Sequence, residues 1–245
     1  MSEKESTGCA GCAGCAGWQA YSLLTTHYSL VKATEMRYGM VIDLRKCVGC
    51  NACTAACKQE NVTPAGVYVS KVLQYEVGDY PKARLRFLPM LCMHCKEPAC
   101  VEACPTGASY RRDDGLVLVD DEKCIGCRYC IMACPYEART YNVREPREYF
   151  SGRGLTPFEQ SGYGRHPKGS IEKCTFCAPR LAEGKEPACV ATCPASARTF
   201  GDLDDPESDI ARIVASGLAK PRLAELGTEP SVFYVELAPV PVSQR

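Results

Sequence analysis

Cys124-Ile-Gly-Cys127-Arg-Tyr-Cys130-Ile-Met-Ala-Cys134-Pro135 is the stretch on which the reading of this chain turns. Its spacing, C-x2-C-x2-C-x3-C-P, is that of a ligand run for iron-sulfur cubes. Three thiolates at i, i+3 and i+6 in a tight loop can hold three corners of one cube, while the fourth points to a neighbouring cube. The stretch therefore calls for a second set of ligands elsewhere in the chain.

Three more sets are present. Cys47, Cys50, Cys53 and Cys57 repeat the same spacing, with Lys58 where the proline would stand. Cys92, Cys95, Cys100 and Cys104 run C-x2-C-x4-C-x3-C and end on Pro105; Cys174, Cys177, Cys189 and Cys193 have a longer central gap and end on Pro194. Sixteen of the nineteen cysteines are thus grouped in four sets of four, a capacity for four 4Fe-4S clusters. A disulfide scaffold fits poorly, because such scaffolds are short secreted domains and no secretory signal is visible. Zinc can use paired C-x2-C units, but it needs no i, i+3, i+6 triple and no C-x3-C-P ending, which occurs here three times. Iron-sulfur chemistry is the reading the spacing favours.

Composition narrows the rest. Lysine and arginine equal aspartate and glutamate at 29 each, so no basic excess points to nucleic acid. No apolar run approaches the ~20 residues of a membrane-spanning helix, and Met1 to Gly8 shows neither a signal pattern nor a twin arginine. A soluble chain is expected, with metal ligation supplying folding energy that a small core would lack. No nucleophile-base set, phosphate loop or open-site metal motif stands out, so a non-catalytic chain is expected.

The flanking segments predict their own elements. Residues 1–36 form an N-terminal extension with Cys9, Cys12 and Cys15 in a Gly-Cys-Ala repeat, read as a flexible tail in preference to a fifth metal site, followed by an apolar stretch, Trp18 to Val31, read as a packed helix in preference to a docking arm. Tyr38, Met40, Ile42 and Leu44 alternate as in a strand, with Val41 breaking the polarity. Strands are also expected over Val67–Val77, at Arg84–Phe87, after the Asp114-Gly115 turn and over Val232–Leu237. Pro146 to Gly169 reads as an irregular insertion, either a plain surface loop or a docking surface carrying Arg153, Tyr163, Arg165 and His166. Asp205 is the expected cap of a helix with Pro206 at its first position, Ile210, Ile213 and Val214 inward, and Gly217 at its end. Near the ligands, His94 reads as a hydrogen-bonding neighbour of a cluster, and Lys46, Lys123 and Lys173 as charges that balance it or are simply solvated.

Internal repetition suggests how the sets combine. The first and third share C-x-G-C-x-x-C-x-x-x-C, and the second and fourth share Lys-Glu-Pro-Ala-Cys (Lys96 to Cys100, Lys185 to Cys189). The fold class expected is α+β, with two nested bacterial-ferredoxin-like dicluster domains of short strands, short helices and long loops. One half would be 37–91 plus 146–200, the other 92–145, and 201–245 a C-terminal extension of helix and strand. Crossed ligation would then place Cys47, Cys50, Cys53 and Cys193 on one cube and Cys57, Cys174, Cys177 and Cys189 on its neighbour. In the other half the sets would be Cys92, Cys95, Cys100 and Cys134, and Cys104, Cys124, Cys127 and Cys130.

From about Arg37 to Leu237 the chain resembles the iron-sulfur subunit of dimethyl-sulfoxide-reductase-family molybdoenzymes, including the polysulfide, thiosulfate, tetrathionate and arsenate reductase branches. The likeness rests on the order of the four motifs, on Cys-Met-His-Cys-Lys-Glu-Pro-Ala-Cys in the second and on Glu-Lys-Cys-Thr-Phe-Cys opening the fourth. Nitrate reductase relatives carry tryptophan at one ligand position and a 3Fe-4S cluster; Cys127 here implies four cubane clusters. The resemblance implies single-electron transfer between a large subunit holding molybdenum or tungsten bis-pterin and a quinone-linked membrane anchor or soluble carrier. It also implies that the chain can reach the periplasm with a signal-bearing catalytic partner, which leaves the side of the membrane open. A free-standing polyferredoxin and the electron-transfer subunit of a formate dehydrogenase or hydrogenase complex are the rival functions.

Overall fold

The computed structural model describes residues 36–237. The three cysteines of the Gly-Cys-Ala repeat, the stretch Trp18 to Val31 and the last eight residues lie outside them.

In chain order the elements are β1 (Tyr38–Asp43), α1 (Ala52–Asn61), β2 (Lys71–Val77), β3 (Arg84–Met90), α2 (Ala99–Glu102), β4 (Ser109–Arg111), β5 (Val117–Val119), α3 (Tyr129–Met132), β6 (Thr140–Tyr141), α4 (Pro157–Gly162), β7 (Ile171–Glu172), α5 (Ala178–Ala182), α6 (Ala188–Ala191), β8 (Arg198–Asp202), α7 (Asp209–Ala215), β9 (Ala219–Pro221) and β10 (Val232–Val235). Short strands, short helices and much loop make this a mixed α+β chain, as expected. The second strand begins at Lys71, not Val67, and the last ends at Val235, short of Leu237.

One sheet carries the architecture, in the order β8-β1-β10-β9. Strand β1 pairs antiparallel with β8 and parallel with β10, so the chain's first and last described strands lie side by side. Met40 and Ile42 of β1 and Val232 and Tyr234 of β10 are fully buried on one face, in a core with Met93, Leu116 and Phe176. Val41 and Val235 point the other way, where Ile210 of α7 covers them. A strand covered on both faces has no polar side, which is why Val41 interrupts the alternation.

Three two-stranded sheets complete the fold: β2 with β3, β4 with β5 and β6 with β7. The last pair joins Thr140 to Glu172 and Tyr141 to Ile171, so the insertion leaves and returns at one place. The insertion is more ordered than its composition suggests. Thr156 caps α4, accepting from the Glu159 N–H at 3.3 Å while the Glu159 carboxylate accepts from the Thr156 N–H at 2.6 Å, a reciprocal capping box with Pro157 at the first position. Tyr163 and His166, two of the four residues expected on a surface, are buried. His166 pairs with Glu172 and bonds the Asn61 carbonyl at 2.9 Å, which ties the insertion to α1.

Asp205 does not cap α7. Ser208 does, accepting from the Ala211 N–H at 3.1 Å, while Asp205 accepts from Glu207 at 2.9 Å and closes the preceding turn. Ser208 wins because it stands next to the first helical residue, three positions before the N–H it must reach. Ile210 is buried on the inward face and Gly217 (φ 72°) follows the helix end, as expected.

Candidate metal centres

Each cysteine loop bends by means of a left-handed residue. The first has Gly49 and Asn51 (φ 68° and 61°), the second His94 (43°), the third Gly126 and Arg128 (both 66°), and the fourth Phe176 and Cys177 (52° and 54°). Alternating handedness turns successive N–H groups to one side and forms a concavity suited to an anion. Backbone N–H groups do reach sulfur: Ser109 to Cys104 at 3.3 Å, Ala197 to Cys193 at 3.3 Å and Phe176 to Cys174 at 3.4 Å. Gly126 has no alternative, since a Cβ there would stand 2.3 Å from the Gly169 carbonyl oxygen.

The folded chain brings the sixteen cysteines into four neighbourhoods, each drawn from two motifs. Cys47, Cys50 and Cys53 line one cavity with Cys193. Cys57 shares another with Cys174, Cys177 and Cys189, and Cys104 a third with Cys124, Cys127 and Cys130. Around Cys95, the sulfurs whose charge is felt most are Cys92, Cys100 and Cys134. Helix α1 packs on α6, and α2 on α3, which sets the motif pairs against each other. Among the described residues no three Cys, His, Asp or Glu side chains converge as one metal ion would require.

The electrostatics also fit such a group. Burial, with repulsion from Cys177 and Cys189, pushes the Cys57 thiol up to about 12. Burial does the same to Cys95, also about 12, and raises Cys47, Cys100, Cys177 and Cys189; Cys174 lies well above the ordinary value. Cys104 is the exception: burial disfavours its thiolate, but the Ser109 N–H and the Thr106 hydroxyl outweigh that and its pKa falls. Where burial raises the thiol, the charged sulfur is stabilised once a cation replaces the proton, as iron would. Meanwhile Arg139 and Arg198, 6% and 5% exposed, have no carboxylate partner among the described residues. Arg139 donates to Cys100 Sγ at 2.9 Å and Arg198 to Cys189 Sγ at 3.5 Å. Buried cations need counter-charge, and thiolate-bound clusters are anionic.

Other residues fall out differently from expectation. Of the three lysines that precede cysteine loops, only Lys173 is buried, donating to the Cys174 carbonyl at 2.7 Å; Lys123 pairs at the surface with Asp120 and Lys46 is exposed. His94 is fully buried, stacks on Phe176 at 3.8 Å and accepts from the Val117 N–H at 3.1 Å through Nδ1. Burial and the nearby Lys173 charge hold its pKa well below the usual value, so it is neutral, and its Nε2 meets no hydrogen-bond partner among the described residues. Lys58, in the proline position of the first motif, donates to the carbonyls of Thr63, Pro64 and Val67 and to the Thr63 hydroxyl at 3.0 to 3.1 Å. Sequence reasoning passed over Lys58, Arg139 and Arg198 as functional residues. The signal for the arginines is the Pro-x-x-Ala-Arg-Thr that follows both the third and fourth motifs.

Fold and donor set together define an iron-sulfur protein of the multi-cluster, ferredoxin-like class. The 4Fe-4S dicluster domain family matches residues 83–148 and 153–203, and a second family of the same description matches 46–108. The chain is 44% identical to a selenate reductase subunit of Mesobacillus selenatarsenatis, over 82% of this chain and 72% of that one. It is 39% identical to the arsenate respiratory reductase iron-sulfur subunit of a Shewanella species (82% and 96% covered) and 41% identical to a tetrathionate reductase subunit of Salmonella typhimurium (82% and 73%). The chain belongs to the iron-sulfur subunits of the dimethyl-sulfoxide-reductase family of oxidoreductases, and its cofactors are 4Fe-4S clusters, to which two dicluster domain matches correspond. No helix among the described residues is long and apolar enough to cross a membrane.

Proposed function

We propose that this chain relays single electrons between a catalytic subunit holding molybdenum or tungsten bis-pterin and a quinone-linked membrane anchor or soluble carrier, and performs no substrate chemistry itself. The clusters supply one-electron redox steps. The ligand sets are those of crossed ligation: Cys47, Cys50, Cys53 and Cys193; Cys57, Cys174, Cys177 and Cys189; Cys92, Cys95, Cys100 and Cys134; Cys104, Cys124, Cys127 and Cys130. The two halves are nested, 92–145 lying within a half made of 37–91 and 146–200. What carries this reading is that each cysteine neighbourhood takes three sulfurs from one motif pattern and one from its partner, as paired cubes require.

The surface suits a relay. Cys50 and Cys127 are the exposed cysteines of their sets, beside exposed Val48 in the first loop and Ile125, Tyr129 and Met132 in the third. Cys57, Cys174, Cys177 and Cys189 are all buried. Electrons would enter and leave through the sets that reach the surface and pass within the chain through those that do not. The complex would be membrane-associated, in the cytoplasm or carried to the periplasm with the catalytic partner.

Anaerobic affinity purification from the native host tests the reading. A large chain bearing molybdenum or tungsten is expected to come with this one stoichiometrically. Recovery of the iron-loaded chain alone would replace the dedicated subunit with a free polyferredoxin.

A further inference from the structure

Arg139 and Arg198 occupy the same place in the repeat. Each is the fifth residue after the last cysteine of its motif, in Pro135-Tyr-Glu-Ala-Arg139-Thr140 and Pro194-Ala-Ser-Ala-Arg198-Thr199. The fifth residue after the last cysteine of the first motif is Val62, and of the second Ser109, both uncharged. Each arginine donates to the cysteine of a Lys-Glu-Pro-Ala-Cys run, Cys100 or Cys189. The pseudo-symmetry of the sequence is therefore also a symmetry of buried charge.

Each guanidinium also stands between two ligand sets of one half. Arg139 feels Cys100 and Cys92 on one side and Cys130 on the other, and its Nη1 donates at 2.8 Å to Ser109, whose N–H donates to Cys104. Arg198 feels Cys189 and Cys174 on one side and Cys53 on the other, and it lines the cavity of Cys47, Cys50, Cys53 and Cys193. Among the cysteine sulfurs, direct bonding is to one set only in each half, Arg198 Nη1 being shared between Cys189 Sγ and Met40 Sδ at 3.5 Å each. A guanidinium does not give up its proton in a protein, so both buried side chains stay charged through any change at the clusters.

We propose that Arg139 and Arg198 are positioning charges that raise the reduction potentials of the clusters held by Cys100 and Cys189, biasing each half so that its arginine-bonded cluster is a better electron acceptor than it would otherwise be. A fixed positive charge stabilises the form with one more electron, and a charge-assisted hydrogen bond to a ligand sulfur disperses the added negative charge. Low local dielectric makes both effects larger than at a surface. The inference rests on the ligand sets proposed above.

The test is a redox titration of the anaerobically purified iron-loaded complex, followed by electron paramagnetic resonance, on Arg139→Gln, Arg198→Gln, Cys100→Ser and Cys189→Ser. The serine variants identify which signal belongs to which cluster. Arg139→Gln is expected to lower the reduction equilibrium of the signal that Cys100→Ser alters about tenfold or more, equal to about 59 mV for one electron. Arg198→Gln should do the same to the signal that Cys189→Ser alters. Unshifted potentials in iron-replete arginine variants would overturn the inference and leave the ligand sets standing. A shift confined to a signal that the serine variant leaves alone would also overturn the inference, because the arginine would then act on the neighbouring set and not on the cluster it bonds. Should either glutamine variant lose its iron, the methionine variant removes the charge while keeping an apolar side chain of similar length. It is expected to lower the same signal's reduction equilibrium about tenfold or more, and an unshifted potential in that iron-replete variant would refute the proposal.

Discussion

The loops Cys47–Cys57 and Cys124–Cys134 start alike and end differently. Both follow C-x-G-C-x-x-C-x-x-x-C, and both put a left-handed glycine and a left-handed residue just before the helix, Asn51 in one and Arg128 in the other. After the last cysteine one carries Lys58 and the other Pro135. Helix α1 runs ten residues, to Asn61, whereas α3 runs four and stops at Met132. A residue before proline is pushed out of the helical region, and proline itself has no N–H to give. One position thus decides whether the chain leaves its cysteine loop as three turns of helix or as an extended turn. The longer helix carries Lys58 and Asn61 to where they hold the 62–67 loop and His166 of the insertion. What the third motif needs is a rapid exit that returns Arg139 to the clusters five residues on.

The comparison can be broken most severely at Lys58. Lys58→Pro would end α1 early and free the loop, at a cost of about 3 kcal/mol or more. Anaerobic guanidinium titration of the visible cluster absorbance should show bleaching at much lower denaturant. A smaller effect is expected of Gly126→Ala, where a left-handed alanine costs about 1 to 2 kcal/mol before its clash with the Gly169 backbone is counted. Gly49→Ala has the same φ problem but meets the Phe87 side chain and not backbone, so its bleaching midpoint should fall less than that of Gly126→Ala. Equal losses at the two glycines would show that the close approach to the Gly169 backbone adds nothing and that the two loops are held alike. Lys58→Met keeps the helix and removes only the ammonium, and because the site is half-exposed the loss should be about 1 kcal/mol, read in the same titration.

Metal chemistry was the most legible part of the sequence. Cysteine spacing is a direct demand of cluster geometry, so all four groups could be read before any strand was placed. Local strands at Tyr38 and Arg84 and the Asp114-Gly115 turn followed from alternation and turn residues. The central sheet did not, because the pairing of β1 with β10 joins residues nearly two hundred positions apart and leaves no local pattern. Thr156 and Glu159 form a capping box that was present in the sequence but hidden in a glycine- and proline-rich stretch. Arg139 and Arg198 were passed over for another reason. A buried arginine looks like a solvated one until its partner is known, and here the partner is a sulfur rather than a carboxylate.

The central claim is that sixteen thiolates hold four cubes. Iron and acid-labile sulfide, counted per chain in anaerobically purified protein, test it most directly. About sixteen of each are expected, four cubes of four. About eight irons per folded chain, or stoichiometric zinc without labile sulfide, would contradict it.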